Sequence, residues 1–153
     1  MNYGSTTITG PDSCAGTFST HSVWFSGGGV GLDGQEIWTY ANGTVQDSTA
    51  TYKLSGIGTT RVYQLQAYIP NGHSDASNAH YRYCAPDSGS GTVVCNDGYV
   101  NQNNFTNAWA TFGAVCTADG TATITLADDG GDAYPVQVGA DAIRAVALSG
   151  IAC

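Results

Sequence analysis

The sequence predicts an all-β fold: an antiparallel β-sandwich, jelly-roll-like, stabilised by one or two disulfides. Three observations predict it. Apolar and polar residues alternate with a period of two in stretch after stretch, as in strands that turn one face to a core. Gly-, Asn- and Asp-rich punctuation separates these stretches at roughly 8–12-residue spacing, the rhythm of an all-β sandwich. No segment sustains the i, i+3, i+4, i+7 spacing of an amphipathic helix. With 153 residues and no linker or internal repeat, residues 1–153 are read as one domain, long enough to bury a core.

The elements follow in order. The first dozen residues are expected to be loose. "HSVWF" from His21 is the first strand expected, followed by "QEIWTY" from Gln35 and "ATYKL" from Ala50. "RVYQLQAYI" sets Tyr63, Leu65, Ala67 and Ile69 against Val62, Gln64, Gln66 and Tyr68, the clearest alternation in the chain. "AHYRYC" places His80, Arg82 and Cys84 on one face and Tyr81 and Tyr83 on the other, without saying which face is inside. "TVVC", "YVNQ", "AWATFGAVC", "TATITLA" and "AIRAVAL" complete a set of roughly nine or ten strands. "SGGGVGLDG", "YANG", "LSGIG", "PNGHSD", "NDG", "TADG" and "ADDGGD" read as the turns between them.

Composition narrows the function classes. Only 10% of residues are charged, against about 25% in an ordinary globular protein. The net charge is −8, and the basic residues Lys53, Arg61, Arg82 and Arg144 form no cluster. A nucleic-acid partner is therefore excluded, since affinity there comes from several phosphates neutralised at once. Anionic membranes are disfavoured for the same reason, and no apolar run approaches the roughly 20 residues that span a bilayer. The five cysteines point to an oxidising, extracellular compartment. The opening "MNYGSTTITG" lacks a signal peptide's basic and apolar regions, so export implies either a removed signal or another route. Cys84 and Cys95 flank the turn-rich "APDSGSGTVV" and are expected to close a hairpin disulfide. Cys14, Cys116 and Cys153 cannot all pair among themselves.

Several groupings carry chemistry on paper. Asp128, Asp129 and Asp132 in "ADDGGDAY" gather hard oxygens on a Gly-flexed loop, the donor type a structural calcium takes, although Asp–Gly turns are also ordinary punctuation. Hydrolysis has weaker support. "GHSD" juxtaposes His73, Ser74 and Asp75, but three consecutive residues do not make a relay. Asp33 and Glu36 are a carboxylate pair that equally edges a turn. There are nine Tyr, three Trp and four Phe, several of which a sandwich core normally absorbs. Trp24, Trp38 and Trp109, each inside a strand, are read as core, whereas Tyr40, Tyr81, Tyr83 and Tyr99 are ambiguous.

A family resemblance rests on "VNQNNFTNAWATFGAV", "GTATITLADD" and "VGADAIRAVAL", in that order. Upstream, "WTYANG", "STATYKL", "RVYQLQAYIPNG" and "NAHYRY" agree with it. Together they resemble the golvesin C-terminal-like domain, which also occurs in xanthan lyases and other secreted bacterial proteins. The likeness covers about residues 17–148; Cys14 and Cys153 lie beyond it. It implies a sandwich resembling a carbohydrate-binding module, a non-catalytic attachment to an exported protein. It also implies that Asn101, Gln102, Asp141 and Arg144, which fall on its motifs, serve architecture, leaving Asn103 to Asn107 free to face a ligand.

The expectation is a secreted, non-catalytic module that binds polysaccharide or cell-surface glycan through Tyr40, Tyr81, Tyr83, Asn103 and Asn104. Its first rival is a structural or adhesive protein that self-associates through edge strands and an odd cysteine. A small secreted hydrolase comes third.

Overall fold

The computed structural model describes residues 6–9, 15–32 and 34–153. Twelve strands run in order: β1 (Thr6–Thr9), β2 (Ala15–His21), β3 (Phe25–Gly28), β4 (Gln35–Tyr40), β5 (Thr49–Ser55), β6 (Arg61–Ile69), β7 (Ala79–Pro86), β8 (Val93–Val100), β9 (Ala108–Val115), β10 (Ala122–Ala127), β11 (Gln137–Ala140) and β12 (Ile143–Ala152). The one helical turn among the described residues is a 3-10 turn at Gln102–Asn104. No helix among them is long and apolar enough to cross a membrane.

Three sheets form, ordered β1-β12-β6-β9, β2-β5-β10-β7-β8 and β11-β4-β3. β11 and β12 are one strand broken at Asp141 and Ala142: the first half pairs with β4, the second with β6. Joined through that break, β4–β11/β12–β6–β9 faces β5–β10–β7–β8, which is the strand order of a jelly roll. Among the described residues all strand pairings are antiparallel except β1 on β12, which is parallel.

The alternation decides the layers. Tyr63, Leu65, Ala67 and Ile69 of β6 meet Tyr52 and Leu54 of β5 and Ile124 and Leu126 of β10 in one core. A tyrosine buried this deeply needs a partner for its hydroxyl. Tyr52 Oη donates to the Asp141 carbonyl, and Tyr63 Oη accepts from the Gly58 N–H. Gln102, also fully buried, uses both ends of its amide on Gly139: Nε2 donates to the carbonyl and Oε1 accepts from the N–H. The "VNQ" segment is thus a rivet between the β8–β9 connection and β11.

Three local expectations change. "HSVWF" is not one strand: β2 ends at His21 and β3 begins at Phe25, because Ser22 adopts a left-handed conformation (φ 62°) that breaks the pairing. "NDG" is no turn either, since β8 runs straight through it. Gly98 is there for close approach: a Cβ would stand 2.0 Å from the Phe112 carbonyl oxygen on β9. Trp109 is on the outer face of β9 rather than in the core, half-buried beneath the Arg144 guanidinium, which lies 4.3 Å above its ring.

Disulfides join Cys84 to Cys95 and Cys116 to Cys153. The first links residues directly opposite on β7 and β8. The second ties the end of β9 to the residue after β12. Cys14 lies outside the described residues.

Candidate functional site

Strand β4 sets the site. Its buried residues Ile37 and Thr39 face inward, so period-two geometry turns Glu36, Trp38 and Tyr40 to the opposite face. Phe25 sits directly across from Trp38 in the β3–β4 register, and their rings stack at 4.6 Å. On the other flank Gly139 stands opposite Trp38. A Cβ on Gly139 would fall 1.8 Å from Ser74 Oγ, so glycine there lets the loop of residues 70–75 lie across β11. That loop lays His73 flat on Trp38, with centroids 4.6 Å apart and planes 8° apart. Gln137 holds it in place, accepting from the Asp75 and Ala76 N–H groups and lying 3.1 Å from His73 Nδ1.

Tyr134 extends the row. The loop of residues 128–136 is fastened to residues 41–43 by backbone hydrogen bonds from Asn42 to Asp128 and from Gly43 to Asp132. This brings Tyr134 to 4.8 Å from Tyr40. The row His73–Trp38–Phe25–Tyr40–Tyr134 is thus assembled from four separate segments. Tyr134 is 72% exposed and Phe25 41%, whereas Trp38 and Tyr40 are half-buried.

A second aromatic face, on β6 and β9, is closed on itself. Gln66 Nε2 donates to Gln64 and Thr111, its Oε1 accepts from Arg144 Nε, and Arg144 covers Trp109. In the β4 row, by contrast, Phe25 and Tyr134 remain exposed.

Glu36 ends the row and is fully buried. Gly27 passes directly over it, since a Cβ there would stand 2.7 Å from Oε1. Neither carboxyl oxygen has a hydrogen-bond partner among the described residues; His73 Nε2 lies 3.9 Å away. Burial, and then the Asp141 carboxylate, raise its pKa to about 7.

The predicted contacts divide. Tyr40 belongs to the row. Tyr81 does not reach solvent: it is buried and stacked on Phe112 at 4.6 Å. Tyr83 shares that inward face, its ring edge-on to Phe112 and lying across Gly113 of β9. Tyr81 is corrected to a packing residue, because β7 turns its tyrosine face to the opposite sheet, while Tyr83 on that face is only half-buried. Asn103 Nδ2 donates to the Asp75 carbonyl, supporting the loop that carries His73, and Asn104 is exposed beside it. Tyr99 stacks on His80, outside the row.

The three loop aspartates do not converge. Asp128 is buried and accepts from the Asp47 and Ser48 N–H groups. Asp132 accepts from Ser77 and Asn78. Asp129 pairs with His80 Nδ1 at 2.7 Å, while Asp97 takes His80 Nε2 at 2.9 Å. Burial works to lower the His80 pKa, but these two hydrogen bonds outweigh it and hold the value above that of an ordinary histidine. No group of three or more metal-type side chains gathers among the described residues. Calcium takes six to eight oxygens turned to one centre, whereas these three carboxylates are each turned to a different partner. Asp and Gly recur here as loop fasteners.

His73, Ser74 and Asp75 form no relay. The His73 ring faces Gln137 and Glu36, while the Asp75 carboxylate accepts from the Gln137 N–H. Asp33 lies outside the described residues. Reasoning from sequence missed Trp38, Phe25, His73 and Tyr134. Trp38 was detectable, because the alternation that places Tyr40 places it on the same face.

No family model and no curated protein matches the chain. In fold it is similar to the crystal structure of the enzymatically active domain of tailspike protein 4 from bacteriophage CBA120, at TM-score 0.50 and 13% identity. The match covers 87% of this chain and 19% of that one, so the chain spans about a fifth of that neighbour's length. The likeness is one of fold.

Proposed function

We propose that this chain is an extracellular, non-catalytic module that binds a polysaccharide or cell-surface glycan along the β4 aromatic row. The carrying observation is that row itself. Its exposed rings, Phe25 and Tyr134, cost free energy in water and gain by packing on the apolar faces of sugars. Asn42, exposed beside it, supplies a hydrogen-bonding partner for hydroxyls. The two disulfides suit an oxidising compartment. The golvesin-like motifs fit the same reading: Gln102 and Arg144 lie in structural contacts, leaving ligand contact to residues outside them.

Native gels cast with a panel of polysaccharides, xanthan and cell-wall glycans included, test this. One polymer is expected to retard the protein, and Phe25→Ala with Tyr134→Ala to weaken retardation by about tenfold, since each lost ring contact is worth roughly 0.5–1.5 kcal/mol. The unfolding midpoint is expected to stay put, because both rings are exposed. Retardation unaffected by the double substitution would move the site elsewhere.

One observation favours the assembly reading. β8 is the outer strand of its sheet, and Val93 and Val94 on it are 61% and 46% exposed. An open apolar edge invites strand addition. If copies join there, sizing at rising protein concentration will show a larger species that Val94→Lys abolishes; a monomer throughout removes this reading.

A further inference from the structure

The Tyr134 end of the row is a pocket of about 270 Å³, lined by Phe25, Tyr40, Tyr134, Val23, Asp47 and Asp128 among others. We propose that this pocket is an ammonium site, which takes the protonated amine of an amino sugar within the bound glycan. The proposal rests on the glycan reading above and specifies its ligand.

The walls carry the argument. Tyr40 packs against both Phe25 and Tyr134, standing between them at 6.0 Å and 4.8 Å. Aromatic faces attract cations through their quadrupoles, most strongly where several rings bound one space. Asp47 adds a full negative charge at the same pocket. Its backbone N–H is used, donating to Asp128, but its carboxylate is exposed and among the described residues takes part in no hydrogen bond or ion pair. Asp128, a second acidic residue of the lining, is buried and has its carboxylate fixed by the Asp47 and Ser48 amides.

No lysine or arginine lines the pocket. Arg82 is engaged with Asp97, Arg144 lies over Trp109, and the chain as a whole carries −8. An anionic sugar would meet uncompensated repulsion there. A neutral sugar would gain stacking alone. An ammonium gains stacking, the ring quadrupoles and the Asp47 charge together. Size agrees: the volume is below the roughly 300–1,000 Å³ that hold a drug-sized ligand, so one sugar unit enters while the row carries its neighbours.

Calorimetric titration with three β-1,4-linked tetrasaccharides tests the proposal. These are the glucosamine tetramer, its N-acetylated counterpart and cellotetraose, which differ only in the group at C2: ammonium, acetamide or hydroxyl. At mildly acidic pH the glucosamine tetramer is expected to bind at least tenfold more tightly than the other two. Asp47→Asn is expected to erase that preference without moving the unfolding midpoint, and Tyr134→Ala to weaken the glucosamine tetramer although it changes no charge. A preference that survives Asp47→Asn, or that Tyr134→Ala leaves intact, would reflect diffuse attraction to an acidic surface and overturn the site. Equal binding of all three tetramers would overturn the ammonium specificity and leave the glycan reading standing. If no tetramer binds and no polysaccharide retards the protein, both fall.

Discussion

Replacing Cys116 and Cys153 together by alanine is expected to lower the unfolding free energy by about 4 kcal/mol, against about 3 kcal/mol for replacing Cys84 and Cys95. The difference comes from the unfolded chain. A cross-link removes loop-closure entropy from the denatured ensemble in proportion to the logarithm of the loop it closes. The Cys116–Cys153 loop spans 37 residues and the Cys84–Cys95 loop 11. The longer loop contains β10, β11 and β12, which belong to all three sheets, so its closure also restrains the search for the jelly-roll pairing. The shorter one joins residues that the β7–β8 ladder already sets opposite each other. Urea denaturation of the two double variants makes the comparison. Substitution serves better than a reductant, because a fifth cysteine, Cys14, offers freed thiols a further partner for exchange. Equal losses from both variants would mean that native-state contacts at the bridges, rather than loop entropy, set the stabilisation.

The fold was legible where one strand face is buried and the other is wet. β6, β10 and the first half of β12 follow the sequence alternation residue for residue, because a period-two pattern has only one register that hides Leu65, Ile124 and Ile143 together. Alternation separates two faces but does not say which is inside. In β7 it paired Tyr81 with Tyr83 correctly, yet only the opposing Phe112 shows that this face is the inner one. Glycine is ambiguous in the same way. Gly98 and Gly139 look like turn formers but stand in strands, each making room for something that crosses closely. The site was the least legible part. Tyr40 and Trp38 share a strand, whereas Phe25, His73 and Tyr134 reach the row through register and loop closure. No local pattern marks Tyr134 at all, since its loop is placed by Asp132 bonded to Ser77 and Asn78, more than fifty residues away in sequence.

Stability is expected to fall as the pH rises from about 4.5 to about 7, and Glu36→Gln to remove that fall. The sign follows from linkage. Burial and the Asp141 carboxylate raise the Glu36 pKa from 4.5 to about 7 in the folded protein. Below 4.5 both states hold the proton and Glu36 contributes its full share of stability. Between 4.5 and 7 the unfolded chain has released its proton while the folded one retains it, so each pH unit costs about 1.4 kcal/mol. The loss is about 3 kcal/mol at most, and nearer 2 kcal/mol where water penetration screens the carboxylate. Glutamine keeps the shape and cannot ionise, so the variant should match the wild type near pH 4 and exceed it near pH 8 by about that amount. His80, whose folded pKa is also raised, contributes a loss of the same sign as the pH passes through its own value. Urea midpoints for both proteins across this range separate the two, because the difference between the curves belongs to Glu36 alone. A constant difference with pH would show that the carboxyl ionises in the fold as it does in the unfolded chain. The residues facing the titrating group are His73 and Asp141, and His73 is the ring stacked on Trp38. The carboxylate that forms when Glu36 ionises therefore lies beside the loop that completes the aromatic row.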